Sequence, residues 1–91
     1  MANVIVQHQI KDPETFFSRG DEVIGNAPAG VRSRQFCPSQ DHTAAVCLWE
    51  GDLDAVREYV DSVSEGVAIN AYFEIDEEYA FGLPEQAGTS A

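Results

Sequence analysis

The 91-residue chain has the length of one small domain, and with 44% apolar and 10% aromatic residues it is too hydrophobic to be disordered. Its net charge of -11, from 16 acidic and five basic residues, repels phosphate backbones and anionic membrane surfaces, so we expect neither nucleic acid nor a membrane as a partner. Because no stretch resembles a targeting signal or an apolar membrane span, the sequence favours the cytoplasm.

The first two predicted elements are a strand and a capped helix. The strand spans Asn3–Ile10 and alternates β-branched residues with polar ones. The sequence "KDPETFF" then predicts a helix start, with Asp12 as the N-cap and Pro13 at the first helical position. An apolar stripe at helical spacing continues over residues 16–24, and "GNAPAG" ends the helix. Gly20 lies on this stripe, which favours a close approach of the helix to the sheet.

A hairpin, a second helix and a fourth strand follow. The hairpin pairs residues 31–37 with residues 42–50 across a turn at "PSQD". The second helix opens after "GD" and presents an apolar stripe that includes Tyr59. The fourth strand covers residues 67–76, and beyond residue 84 we expect a flexible tail over residues 85–91.

The order strand, helix, strand, strand, helix, strand predicts a single α+β domain over residues 1–84 with the ferredoxin-like βαββαβ topology. Two right-handed crossovers give a four-stranded antiparallel sheet in the order 4-1-3-2, with both helices on one face. The other face is left bare, which on so small a protein favours packing against a second copy of the chain. We therefore expect a homodimer that closes into a barrel.

The bare face is assigned from a hairpin register in which Cys47 pairs with Arg32, and from a fourth strand whose apolar residues face the helices. In this register Cys37 and Cys47 are too far apart to form a disulfide, so both are predicted to be free thiols. The face then combines Gln, Arg, Glu and large aromatic residues, as is typical of an interface. The predicted dimer contacts are Gln7, Gln9, Arg32, Arg34, Trp49, Asn70, Tyr72, Glu74 and Phe81, with Phe36 and Cys47 on the same face.

The run from Asn3 to about residue 84 resembles the dimeric α/β-barrel superfamily of ferredoxin-like domains. The resemblance lies in the element order, the length, and local sequences such as "IKDPE" after the first strand and "LWEGDLDAVREYV" across the third strand and second helix. This superfamily includes stress-responsive Dabb proteins, cofactor-free antibiotic-biosynthesis monooxygenases, muconolactone isomerases and small polyketide cyclases. The resemblance implies the fold, and because these activities are unrelated it leaves the reaction open.

His8 is the first candidate for chemistry, since it places an imidazole on an otherwise apolar strand face. His42 and Cys37 are predicted to lie at the same end of the helix–sheet interface. Three interpretations are open: a structural histidine bonded to backbone or to Asp12, a general acid/base at an apolar pocket, and a metal ligand. The three side chains match no metal-ligand motif, so we expect no metal.

Tyr59 is the second candidate. It falls in "VREYV", where the resemblance to polyketide cyclases places a tyrosine that acts with a histidine on a poly-β-keto substrate. No histidine follows Tyr59 in this helix, and the alternative is a core aromatic with its hydroxyl at the surface. The monooxygenases of the superfamily use Asn, Trp and His near a substrate, but the predicted sheet separates Trp49 and Asn70 from His8.

The sequence therefore favours a homodimer that binds a small apolar or polyketide-like molecule between helices and sheet. The alternative is a cofactor-free cyclase, isomerase or monooxygenase, with His8 as general acid/base and Tyr59 polarising a carbonyl. No phosphate loop, Cys-x-x-Cys or nucleophile elbow is present in the sequence, and we expect no cofactor. The predicted pocket residues are Val6, Phe16, Phe17, Val63 and His42.

Overall fold

The computed structural model describes residues 2–84 and contains one four-stranded antiparallel sheet in the order β2-β3-β1-β4. This is the predicted order 4-1-3-2 in reverse, so the ferredoxin-like α+β topology is confirmed. The predicted flexible tail at residues 85–91 lies outside the described residues. The strands are β1 Asn3–Ile10, β2 Arg32–Pro38, β3 Ala44–Glu50 and β4 Ala68–Glu74.

The helical layer contains three helices, because the predicted first helix is divided at Arg19. α1 spans Pro13–Ser18, α2 spans Gly20–Gly25 and α3 spans Leu53–Ser64. Among residues 2–84, none of these helices has the length and apolar character needed to cross a bilayer.

Both predicted helix starts are confirmed by their caps. The Asp12 carboxylate accepts a hydrogen bond from the backbone N–H of Thr15 at the start of α1. The Asp52 carboxylate accepts from the backbone N–H groups of Asp54 and Ala55 at the start of α3. Each cap satisfies N–H groups that have no partner within the helix.

Gly20 and Gly51 differ in whether the structure has room for a side chain. A Cβ atom added to Gly20 would meet no heavy atom within 4 Å, so the predicted close approach of helix to sheet is wrong. Gly51, just before α3, has a φ of +146°, and a Cβ atom there would lie 2.6 Å from the carbonyl oxygen of Gly30. The structure therefore requires glycine at residue 51 and leaves open space at residue 20.

The core lies between the helices and one face of the sheet, which we call the helix-covered face. Val4, Val6 and Val56 are fully buried there. Residues directly opposite in antiparallel strands project to the same side of a sheet. Val6 is opposite both Cys47 and Tyr72, so these two side chains are also on the helix-covered face.

The hairpin register differs from the predicted one. Cys47 is opposite Phe36 instead of Arg32, and a bulge interrupts β2 between Ser33 and Gln35. The loop occupies residues 39–43, so the strands pair about four positions away from the predicted alignment. Cys47 is opposite Val6 of β1, so Cys47 and its partner Phe36 lie on the helix-covered face. Cys37, opposite Val46, lies on the other face, which we call the open face; both thiols are free.

The faces of β4 are also the reverse of those predicted. Asn70 is opposite His8 and lies on the helix-covered face with Tyr72 and Glu74, while Ile69 and Phe73 lie on the open face. Placing Asn70, Tyr72 and Glu74 on the open face was therefore wrong, and so was placing Trp49 there, since it is opposite Val4. The other predicted contacts are on or near the open face: Gln7, Gln9 and Arg32 face it, Arg34 lies in the bulge, and Phe81 is exposed.

Candidate functional site

A cavity of about 100 Å³ lies between the three helices and the helix-covered face. Most of its lining is apolar, which favours an apolar occupant. Predicted pocket residues Phe16, Phe17 and Val63 line it, as do Val23, Ile24, Phe36, Val60 and Val67. Val6 is instead fully buried in the core, and His42 packs on Phe17 outside the lining. The polar residues of the lining are His8, Arg19, Ser33, Cys47, Trp49 and Ser64.

His8 is held on the cavity wall by Asn70. The imidazole is 7% exposed, and its Nδ1 lies 2.6 Å from the Asn70 Oδ1 atom. The Asn70 Nδ2 group donates to Ser64 Oγ at 2.7 Å and to Asp61 Oδ1 at 3.1 Å, which orients the amide with its oxygen toward His8. Since an amide oxygen can only accept, His8 Nδ1 carries the proton and Nε2 carries a lone pair.

Cys47 occupies the other side of the imidazole. Its Sγ lies 3.1 Å from His8 Nε2, so the thiol donates to the Nε2 lone pair. Burial raises the pKa of the Cys47 thiol to about 12. Burial also lowers the pKa of His8, although the hydrogen bond to Asn70 acts in the opposite direction. At neutral pH the pair therefore consists of a neutral thiol and a neutral imidazole.

The hydrogen-bond partners of His8 are side chains on the two strands next to β1, and they are not the partners predicted for a structural histidine. Within residues 2–84 the ring bonds to Asn70 and Cys47 and not to the backbone or to Asp12. Its edge contact with Phe16 has ring centroids 5.2 Å apart. The ring is thus fixed in one tautomer and one orientation, as an acid/base group requires.

Trp49 contributes a buried donor. It is 3% exposed and lines the cavity, and its indole Nε1 has no hydrogen-bond partner among residues 2–84. The indole N–H lowers the pKa of the nearby Cys47 thiol, against the larger effect of burial, without reaching hydrogen-bond geometry. A buried N–H without an acceptor is unfavourable, so an occupant with an oxygen atom would satisfy it.

The polar chain continues from Asn70 to the protein surface. The Tyr72 hydroxyl donates to Asp61 Oδ1 at 2.6 Å, and the Arg57 guanidinium lies 5.8 Å from the centre of the Tyr72 ring. Burial and the Asp61 carboxylate raise the pKa of Tyr72, which keeps it protonated as a donor. Asp61 is exposed, so the network that orients His8 ends at solvent on α3.

Tyr59 is not on the cavity wall. Its ring contacts Trp49 with centroids 6.0 Å apart, while its hydroxyl donates to the carbonyl oxygen of Val23. It lines a separate surface depression with Pro28, Ala55, Glu58 and Ser62. Tyr59 therefore joins α3 to α2, and the structure does not bring its hydroxyl to His8.

The predicted gathering of His8, His42 and Cys37 does not occur. His42 lies in the hairpin loop with a φ of 63° and stacks near Phe17, with ring centroids 4.5 Å apart, while Cys37 is exposed on the open face. Within residues 2–84 no three His, Cys, Asp or Glu side chains are grouped to hold a metal ion.

Sequence reasoning missed that Asn70, Cys47 and Trp49 surround the same cavity as His8. It placed all three on the opposite face and so separated an Asn, Trp and His set that the structure brings together. One signal could have indicated that Asn70 shares the face of His8. A buried imidazole needs a polar neighbour, and the pairing of β1 with β4 puts Asn70 directly across from His8.

Comparison with other proteins adds no assignment to this geometry. No known family model matches the sequence, and no curated protein is similar to it.

Proposed function

We propose that this protein binds a small apolar molecule carrying an oxygen atom in the cavity beside His8. The observation that carries the proposal is the combination of a mostly apolar lining with Trp49, a lining residue whose buried indole N–H has no hydrogen-bond partner among residues 2–84. Apolar groups favour the body of the ligand by removing its surface from water, and one donor fixes its orientation.

The size of the cavity restricts the ligand. Benzene occupies an apolar protein cavity of about 150 Å³, so the cavity of about 100 Å³ suits a small ring or a short chain. Of the two ligand classes expected from the sequence, this volume favours a small apolar molecule over an extended polyketide.

Trp49 supplies a direct test, because it is the single tryptophan of the chain and it lines the cavity. Titration with cyclopentanone should change its fluorescence in a saturable manner. Val63→Phe, which fills the cavity, should abolish the saturable change, whereas the matched substitution Val46→Phe on the open face should retain it. An identical response in all three proteins, or none in the wild type, would contradict the proposal.

The open face supports the second part of the proposal, a homodimer of the dimeric α/β-barrel type. Ile69 and Phe73 of β4 are 53% and 49% exposed there, and Val46 of β3 is exposed on the same face, on the other side of β1. Within residues 2–84, the strands place one acidic residue on this face. It is Glu50, and it is only 6% exposed. A second copy can therefore pack on this face without bringing the acidic surfaces of the two chains together.

A cofactor-free monooxygenase is a second candidate function, favoured by the position of Asn70, Trp49 and His8 around one cavity. The expected reaction would use His8 as the proton acceptor, without the Tyr59 hydroxyl. Oxygen uptake with small phenols tests it: the wild type should consume oxygen faster than Asn70→Ala. Equal rates in the two proteins would remove this candidate and leave the binding proposal intact.

A further inference from the structure

The hydrogen bond between Cys47 and His8 is not needed to bind an apolar molecule. Cys47 and His8 both line the cavity, and the Cys47 Sγ lies 3.1 Å from the His8 Nε2. A thiol beside an imidazole whose other nitrogen is fixed by an amide oxygen is an arrangement that can activate sulfur as a nucleophile.

We propose that Cys47 adds reversibly to a small α,β-unsaturated carbonyl compound held in this cavity, with His8 transferring the proton. This inference rests on the proposed binding function and names the substrate class of the same site.

The step balances within the protein and the ligand. His8 Nε2 takes the proton as the Cys47 S–H bond breaks, and a C–S bond forms at the β-carbon. The electron pair of the carbon–carbon double bond moves toward the carbonyl oxygen and gives an enolate. The imidazolium then returns the proton to the α-carbon. The net change is addition of S–H across the double bond, with no external oxidant or reductant.

Trp49 is placed to stabilise the enolate oxygen. Cys47 and Trp49 are alternate residues of β3 on the same face, and the indole N–H lies near enough to the Cys47 sulfur to lower the pKa of the thiol. A conjugated enone carries its oxygen close to its β-carbon, so an enone whose β-carbon lies against the sulfur can present its oxygen to this N–H. The N–H has no other partner among residues 2–84, and it gains an acceptor as negative charge develops.

In the absence of a ligand, the state of Cys47 restricts its reaction to electrophiles that enter the cavity. Burial keeps Cys47 as a neutral thiol, which is a weak nucleophile toward reagents that cannot enter the cavity. Proton transfer to His8 becomes productive when an electrophile lies against the sulfur. Selectivity thus follows from the shape and apolar lining of the cavity.

The test uses 2-cyclopenten-1-one as the electrophile and cyclopentanone as its saturated control. Cys37→Ser removes the exposed thiol and serves as the background for all measurements. Intact-protein mass spectrometry follows adduct formation, and peptide mapping locates the adduct. We expect one adduct per chain at Cys47, slowed by cyclopentanone, absent in Cys47→Ser, and about 100-fold slower in His8→Gln.

The outcomes separate this inference from the binding proposal. If cyclopentanone changes Trp49 fluorescence but Cys47 takes no adduct, the addition is overturned and binding stands. If cyclopentanone neither binds nor protects, both are overturned. An undiminished rate in folded His8→Gln would overturn the role of His8. If His8→Gln does not fold, His8→Asn is used in its place. The location of the site is tested without altering His8, by measuring whether cyclopentanone slows the modification of Cys47 in Cys37→Ser.

Discussion

Strand β4 shows how the two faces of the sheet differ. On the helix-covered face it presents Asn70 and Tyr72, which belong to the polar chain that orients His8, while on the open face it presents Ile69 and Phe73. The face of this strand that the helices cover is thus the more polar of its two faces. The comparison teaches that strict alternation identifies a strand but does not determine which side receives the helices.

The two faces also suit different occupants. The helix-covered face encloses a small cavity beside fixed polar groups, which favours a small molecule. The open face exposes Val46, Ile69 and Phe73 beside neutral Gln residues in an otherwise acidic protein, which favours a second copy of the chain.

The largest expected effect is on the open face. Phe73→Asp should weaken homodimerisation by about 100-fold or more, because a carboxylate would be buried among apolar side chains without a partner. Glu74→Gln is the matched control, since the next residue of β4 lies on the other face and should leave the dimer unchanged. Sedimentation velocity over a range of concentrations measures both. A monomeric wild type, or equal dimerisation of wild type and Phe73→Asp, would contradict the proposed interface.

A smaller effect is expected inside the helix-covered face. Asn70→Ala removes the acceptor of His8 Nδ1 and should lower the free energy of unfolding by about 1–3 kcal/mol. Gln40→Ala, in the exposed hairpin loop, should change it by less than about 0.5 kcal/mol. Urea unfolding at equal chain concentration gives both values. Equal stability of the two variants would show that the hydrogen bond to Asn70 contributes nothing.

The pH dependence of stability tests the burial of His8. Because burial lowers the His8 pKa below 6.5, the unfolded chain binds this proton more readily than the folded protein does. The contribution of neutral His8 to the free energy of unfolding is present above pH 6.5 and is lost as the pH falls toward the pKa of the folded protein. The free energy of unfolding then changes by at most about 1.4 kcal/mol per pH unit. His8→Gln should reduce this slope, whereas His42→Gln, at an exposed residue, should retain it. If the free energy of unfolding of His8→Gln varied with pH as steeply as that of the wild type, the pH dependence would come from other groups.

The smallest effect concerns the packing of the helical layer. Gly20→Ala should raise the free energy of unfolding by less than about 1 kcal/mol, because Gly20 is the first residue of α2, outside the helix interior where the gain is full, and the added Cβ meets nothing within 4 Å. Gly51→Ala should be destabilising by more than about 1 kcal/mol, owing to its positive φ and the approach of Gly30. Thermal unfolding compares them, and a destabilised Gly20→Ala would mean that the helices pack more closely than the structure shows.

The sequence was sufficient for the fold because the signals for it are local. Asp12 and Asp52 are caps, β1 was predicted with its observed limits, and the element order led to the observed strand order. The predicted apolar stripe of α3 also contributes Val56 and Val60 to the core.

The site could be predicted only in part, because it depends on register. His8 was found from its own strand, but Cys47 and Asn70 reach it through the pairing of β1 with β3 and with β4, and the sequence of a single strand does not specify that pairing. A shift by one residue exchanges the two faces of a strand. The apolar open face of β4 reinforced that error, since the pattern alone does not distinguish a helix layer from a second chain as its partner.

The most direct test of the account is a crystal structure of the wild-type protein under xenon pressure, since xenon enters apolar protein cavities without needing a polar contact. We expect a xenon atom between the helices and the sheet, against Trp49 and Cys47, with His8 still bonded to Asn70. A helix–sheet interface closed by side chains, with no xenon beside His8, would contradict it.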